Sequence, residues 1–173
     1  MKRHLVLVGL PGSGKSTVGR LVAAHLGAAY VDLDALIVRR MQMPIARIFG
    51  EFGESRFREL EREAMETTLT GEPAVVSPGG GWAAQPGAIA AARARAYVVF
   101  LRTLPATAAG RLADGEVRPM FDGENTLDRM RRLLHEREPF YLQADAELAN
   151  DPPRTAEQAA DALVTLARTK AGW

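Results

Sequence analysis

The chain has no cysteine. Disulfides and thiolate-held metal sites are therefore excluded, and the lack fits a reducing compartment. Net charge is almost nil: 22 Lys and Arg stand against 21 Asp and Glu, a formal +1. Nothing in bulk electrostatics draws such a chain to nucleic acid or an acidic membrane. No stretch approaches the ~18 apolar residues of a membrane span. The N-terminus, MKRHLVLVGLPG, has a basic start and an apolar run too short for a signal peptide. It leads straight into a glycine-rich loop, which makes it a first strand. Internal repeats, low-complexity tracts and linkers are missing as well. A cytoplasmic protein of one domain, residues 1–173, is expected. No long apolar surface stripe demands a partner, so a monomer is expected.

What is present is an alternation of strand and helix signals. LVLVG (5–9), AAYVD (28–32), AVVS (74–77) and AYVVFL (96–101) are short, apolar and β-rich, with AELAN (146–150) a weaker fifth. Helical spacing runs over 15–26, 34–41, 44–69 with a break near Gly50–Gly53, from about 86, 105–112, 127–137 and 155–167. Strands alternating with helices predict an α/β fold, a parallel sheet with helices on both faces. Ligands of such sheets bind beyond the carboxyl ends of the strands. GLPGSGKST follows the first strand, DLD the second and SPGGG the third, so the polar and glycine-rich segments fall where that rule requires.

Gly9, Gly14, Lys15 and Ser16 fill every position of G-x-x-x-x-G-K-[ST]. Glycines turn the backbone tightly and aim N–H groups inward, and the following helix adds its positive end. Gly12, Ser13, Gly14, Lys15, Ser16 and Thr17 are the expected phosphate contacts of ATP. Lys15 reaches the β- and γ-phosphates, and the Ser16 hydroxyl sits on Mg²⁺. No N-K-x-D occurs, which argues against a GTPase switch.

Asp32 and Asp34 flank Leu33 at the end of the second strand. In extended geometry residues two apart face the same way. One carboxylate is then placed to hold water on Mg²⁺ and the other to bind or deprotonate an acceptor hydroxyl. The other open reading makes Asp34 the N-cap of the next helix.

Arg58 and Glu61 sit three apart beside the stripe Phe57, Leu60, Ala64, Thr68, and can pair; a surface salt bridge is the competing reading. Arg137 continues the apolar stripe Leu127, Met130, Leu134. An inward guanidinium needs an anion, either a structural carboxylate or a bound substrate. Arg118 lies in the polar loop ADGEVRPMFDGEN (113–125), suited to a lid that closes positive charge over a transferring phosphoryl. Gly79, Gly80 and Gly81 follow the third strand, where backbone can approach a ligand closely. Trp82 is placed to wall that pocket. His4, His25 and His135 have no metal spacing and read as surface or helix-packing residues.

Together, a complete phosphate loop, D-x-D after strand two, F-R-x-x-E on the next helix, G-G-G after strand three, R-P in a loop and R-x-x-x-Y near the end resemble the shikimate kinases, over about Leu5 to Ala146. The resemblance implies a P-loop kinase fold: three layers, α/β/α, around a five-stranded parallel sheet, with a helical substrate-binding region (about 33–70) and a mobile lid (about 112–125). It implies ATP- and Mg²⁺-dependent phosphorylation of the 3-hydroxyl of shikimate, in aromatic amino-acid biosynthesis. Asp34 would bind the substrate hydroxyls and act as or assist the base. Arg58 and Arg137 would clamp the carboxylate, with Glu61 orienting Arg58. Gly80 and Gly81 would offer backbone contacts. Lys15 and Arg118 would neutralise the γ-phosphoryl. Asp32, through water, and Ser16 would serve the metal. Arg111 would stack on adenine, with Pro153 or Arg154 near its other face. The chain departs from the family pattern at Val38, at Pro78 and along RLADGEVRPMF. A kinase of another hydroxy acid such as gluconate, and a non-catalytic nucleotide-binding module, are the alternatives. The second should have lost Lys15, Asp34 or Arg118, and all three are present.

Overall fold

Residues 1–113 and 125–173 are described, in a computed structural model. Arg118 and most of the expected lid fall outside the described residues. The strands are β1 (His4–Val8), β2 (Tyr30–Asp32), β3 (Val75–Ser77), β4 (Ala96–Arg102) and β5 (Ala146–Ala149). The helices are α1 (Lys15–Leu26), α2 (Leu33–Met41), α3 (Ile45–Thr70), α4 (Ala88–Ala92), α5 (Pro105–Ala113), α6 (Thr126–Tyr141) and α7 (Ala156–Lys170). All strand pairings are parallel, in the order β2-β3-β1-β4-β5.

β1 is central and buried along its whole length, which explains why its sequence is a continuous apolar run. Alternate side chains feed opposite layers. Leu5 and Leu7 join Val99, Leu101, Val22 and Leu163 under α1 and α7. Val6 and Val8 join Phe100, Ile37, Leu60 and Tyr141 under α2, α3 and α6. The edge strand β5 alternates half-buried and exposed residues, and its weaker sequence signal follows from that one-sided burial. The strands end together, so the loops after β1, β2 and β3 meet at one rim.

Two features aim the rim. α3 leaves helical geometry at Gly53 (φ 81°, ψ 169°), within the expected break, and Phe49 packs on Phe57 across it at 4.6 Å. α6 runs four residues past the expected end at Arg137, through Pro139 to Tyr141. Proline in a last turn removes few helical bonds, and the Tyr141 ring lies 5.0 Å from that of Phe100. That contact pins α6 to the sheet one turn beyond Arg137.

His4 corrects an expectation. It is buried in β1, where Nδ1 accepts the Ala74 N–H at 3.1 Å. Burial pushes its imidazole below the ordinary value, so the neutral ring acts as a backbone acceptor. Its alternating strand position carried no sign of this. Among the described residues, no helix is long and apolar enough to cross a membrane.

Candidate active site

The loop between β1 and α1 is held in one shape. Gly12 (φ 77°) and Gly14 (φ 92°) adopt left-handed backbone that side chains resist. A Cβ on Gly12 would also lie 2.6 Å from the Ala108 carbonyl oxygen, and one on Gly14 2.7 Å from Asn150 Nδ2. Ser13 is buried beneath the loop, and its carbonyl accepts from Asn150 Nδ2 at 2.8 Å. The N-cap of α1, Gly14, brings no capping side chain, and the first turn carries no acid. The helix's positive end is thus left to an external anion. Lys15 Nζ donates to the carbonyls of Gly9 and Leu10, both at 2.8 Å, which holds the ammonium at the loop.

A cleft of about 310 Å³ opens over this loop. Gly12, Gly14, Lys15, Ser16, Thr17, Asp32, Asp34, Gly80 and Arg111 line it. Arg111 donates to the Gly12 carbonyl at 3.2 Å and the Asn150 carbonyl at 2.9 Å, tying α5 and the end of β5 to the loop. Arg154, in the turn before α7, is not part of the cleft lining. Trp82 is not part of it either: buried, it lines a separate groove of about 780 Å³ with Arg62 and Gln85, on the far side of Arg58.

The two aspartates reach the cleft by a different geometry from the one expected. The chain is not extended through Asp34, because α2 begins at Leu33. Asp32 is the cap, its Oδ1 accepting the Ala35 N–H at 3.1 Å, and Asp34 stands in the first helical turn. The cap fixes the Asp32 carboxylate, and the turn swings Asp34 toward the glycine triplet. A Cβ on Gly79 would lie 2.7 Å from Asp34 Oδ1 and 3.1 Å from Glu61 Oε1.

The same triplet gathers the arginines. A Cβ on Gly80 would lie 2.5 Å from Arg137 Nη1, and one on Gly81 would collide with the Arg58 guanidinium. These glycines therefore leave room for Asp34, Arg137 and Arg58, one after another. Arg58 Nη1 donates to Glu61 Oε2 at 2.7 Å. Glu61 is 1% exposed, so this is no surface pair. Tyr141, fully buried, donates its hydroxyl to the Gly80 carbonyl at 3.2 Å. Burial raises its phenol, and Arg137 opposes the rise.

Gly79→Ala should lower kcat/KM about tenfold and lower Tm by a few degrees through overpacking against Asp34 and the buried Glu61. Steady-state rates beside a thermal melt check this.

Burial pushes the Glu61 carboxyl from an ordinary 4.5 up to about 7; Asp34 adds to the rise, while Arg58 and Arg137 oppose it. A raised carboxyl binds protons better in the folded state. Its contribution to stability is full below the unfolded value and is lost as pH rises through about 7. Glu61→Gln removes that slope. Its Tm relative to wild type should climb between about pH 5 and about pH 8, as a pH series of melts would record.

The family model for shikimate kinase matches residues 11–168. The chain belongs to the shikimate kinase family. It is 42% identical over 144 residues to the shikimate kinase of Mycobacterium avium, covering 83% of this chain and 81% of that one. The shikimate kinase of Bacteroides thetaiotaomicron superposes with a TM-score of 0.91 at 29% identity, over 97% of this chain and 99% of that one. The Acinetobacter baumannii shikimate kinase, solved in complex with shikimate, gives 0.86 at 29% identity, over 98% and 96%. The family's three-layer fold around a five-stranded parallel sheet is the fold described above.

Sequence reasoning missed Asn150 beneath the loop, and it met Tyr141 only as a motif letter. It had no reason to single out Ser77, buried at the end of β3, whose hydroxyl donates to the Lys15 carbonyl at 3.4 Å. Each lies at a strand or helix end, the one signal that could have found them.

Proposed function

We propose that the protein transfers the γ-phosphoryl of ATP to the 3-hydroxyl of shikimate, with its site residues in the following roles. One observation carries the assignment. Three consecutive glycines gather an acid, Asp34, which lines the phosphate-loop cleft, and two guanidiniums, Arg137 and Arg58, which lie against Gly80 and Gly81 next to that lining. A small ring bearing a carboxylate and hydroxyls suits that set: forked donors grip the carboxylate, and the acid takes a hydroxyl.

The loop N–H groups and Lys15 hold the phosphates. Asp34 accepts the hydrogen bond of the 3-hydroxyl and orients its oxygen toward the γ-phosphorus. As the new P–O bond forms, the bond to the β-phosphate oxygen breaks and ADP leaves. The hydroxyl proton passes to Asp34 or, guided by it, to the phosphoryl group. Lys15, joined by Arg118 from the lid, offsets the charge that develops. Glu61 fixes Arg58, and Gly80 and Gly81 present backbone to the ring. Arg111 offers a face to adenine, with Pro153 or Arg154 near the opposite side.

Mg²⁺ needs only one or two protein oxygens when phosphates and water complete its shell, and Ser16 and Asp32 both line the cleft. Together with the phosphates they would hold this ion, which would supply charge neutralisation at the triphosphate. Cleft and clamp are built from one chain, which supports a monomer, and the need for ATP supports a cytoplasmic location.

A coupled ADP-release assay across shikimate, quinate, gluconate and nucleoside monophosphates tests the proposal. Shikimate should give the highest kcat/KM. Preference for gluconate or for a nucleotide acceptor would overturn it.

A further inference from the structure

The clamp arginine Arg58 leans on Glu61, but Glu61 has a second partner. Gln85, half-buried in the turn between the glycine triplet and α4, donates Nε2 to Glu61 Oε2 at 3.0 Å. Its own Oε1 accepts from Arg62 Nη1 at 2.8 Å. These two contacts settle which end of the amide faces which neighbour. A guanidinium can only donate and an ionised carboxylate can only accept, so the nitrogen must face Glu61. A chain of hydrogen bonds therefore runs Arg62, Gln85, Glu61, Arg58.

We propose that Gln85 is a positioning residue for the substrate-carboxylate clamp: by donating to Glu61 Oε2 it holds that carboxylate ionised and in place, and so fixes Arg58. This rests on the shikimate reading of the clamp. Gln85 and Arg62 line the mostly apolar groove behind Arg58. The groups facing Glu61 are Arg58 from its own helix, Asp34 from α2 and Arg137 from α6. Asp34 opposes ionisation, the arginines favour it, and Glu61 Oε1 is buried with no hydrogen-bond partner. With the acid balanced near neutrality, a single donor on its other oxygen shifts the ionised fraction. A protonated Glu61 loses its charge attraction for Arg58, and the clamp loosens.

The test uses Gln85→Leu and the near-isosteric Gln85→Glu on the full chain. The second keeps the volume and an acceptor for Arg62 but sets a carboxylate against Glu61. An NMR titration of the Glu61 side-chain carboxyl carbon, without substrate, should show titration at higher pH in both variants, and most in Gln85→Glu. Kinetics should show the KM for shikimate raised about fivefold in Gln85→Leu and more in Gln85→Glu, with kcat and the KM for ATP nearly unchanged. The penalty should be larger at about pH 6 than at about pH 8.5, where Glu61 is ionised in both proteins. An unmoved Glu61 titration, or a Gln85→Glu variant with wild-type KM, overturns the proposal. If wild type itself does not turn over shikimate, the functional reading fails instead, and the titration still judges the contact between Gln85 and Glu61.

Discussion

Asp34→Asn should bind ATP as wild type does and turn over about a thousandfold more slowly, the loss expected when a positioned acid–base group is removed. Asparagine keeps the shape of the side chain, and the first turn of α2 is set by the Asp32 cap, so the fold should hold. What changes is the chemistry. An amide does not accept a proton, and one of its two ends donates where a carboxylate accepts. Nucleotide titration beside single-turnover kinetics separates the two effects. Intact turnover would remove Asp34 from the chemistry and leave it a first-turn acid of α2.

The second large effect is expected from Arg137→Ala. The substrate carboxylate would lose its forked partner and stay desolvated beside Arg58 alone. A loss of at least about 2 kcal/mol in transition-state binding follows, roughly thirtyfold in kcat/KM. Arg137→Lys should fall between, because an ammonium keeps the charge without the planar fork. Arg137 also favours ionisation of Glu61, so the alanine variant weakens both arginines. Unchanged kcat/KM would mean that Arg137 serves only to orient Tyr141.

The parts of this site that could be read in the sequence are those whose geometry is local. A phosphate loop needs left-handed glycines at fixed offsets, and Gly12 and Gly14 have them. Arg58 and Glu61 meet because residues three apart on a helix are neighbours. Arg137 stood out because it prolonged an apolar stripe, and it is drawn inward beside Gly80. Local rules failed where two were in competition. D-L-D at a strand end allowed extended or capped backbone, and the cap went to Asp32 rather than Asp34. Contacts between distant segments left no periodic trace. Asn150 supports Ser13 from 137 residues away, and His4 meets Ala74 across 70. Gln85 reaches Glu61 across 24 residues from a turn whose sequence, AAQPG, reads as loop. The glycine triplet was legible as a close approach, but the approaching groups were assumed to be substrate. In the fold they are also the protein's own acid and arginines.

The central claim, that guanidiniums hold an anionic acceptor beside Asp34, is tested most directly by a cycle of two substrates and two proteins. The kcat/KM for shikimate and for its neutral carboxamide would be measured with wild type and with Arg137→Ala. Wild type should favour the carboxylate strongly, and the variant should lose at least about tenfold of that preference, since the interacting pair is removed once from each side. Equal preference in both proteins would mean that the carboxylate does not meet Arg137, and the clamp would have to be abandoned.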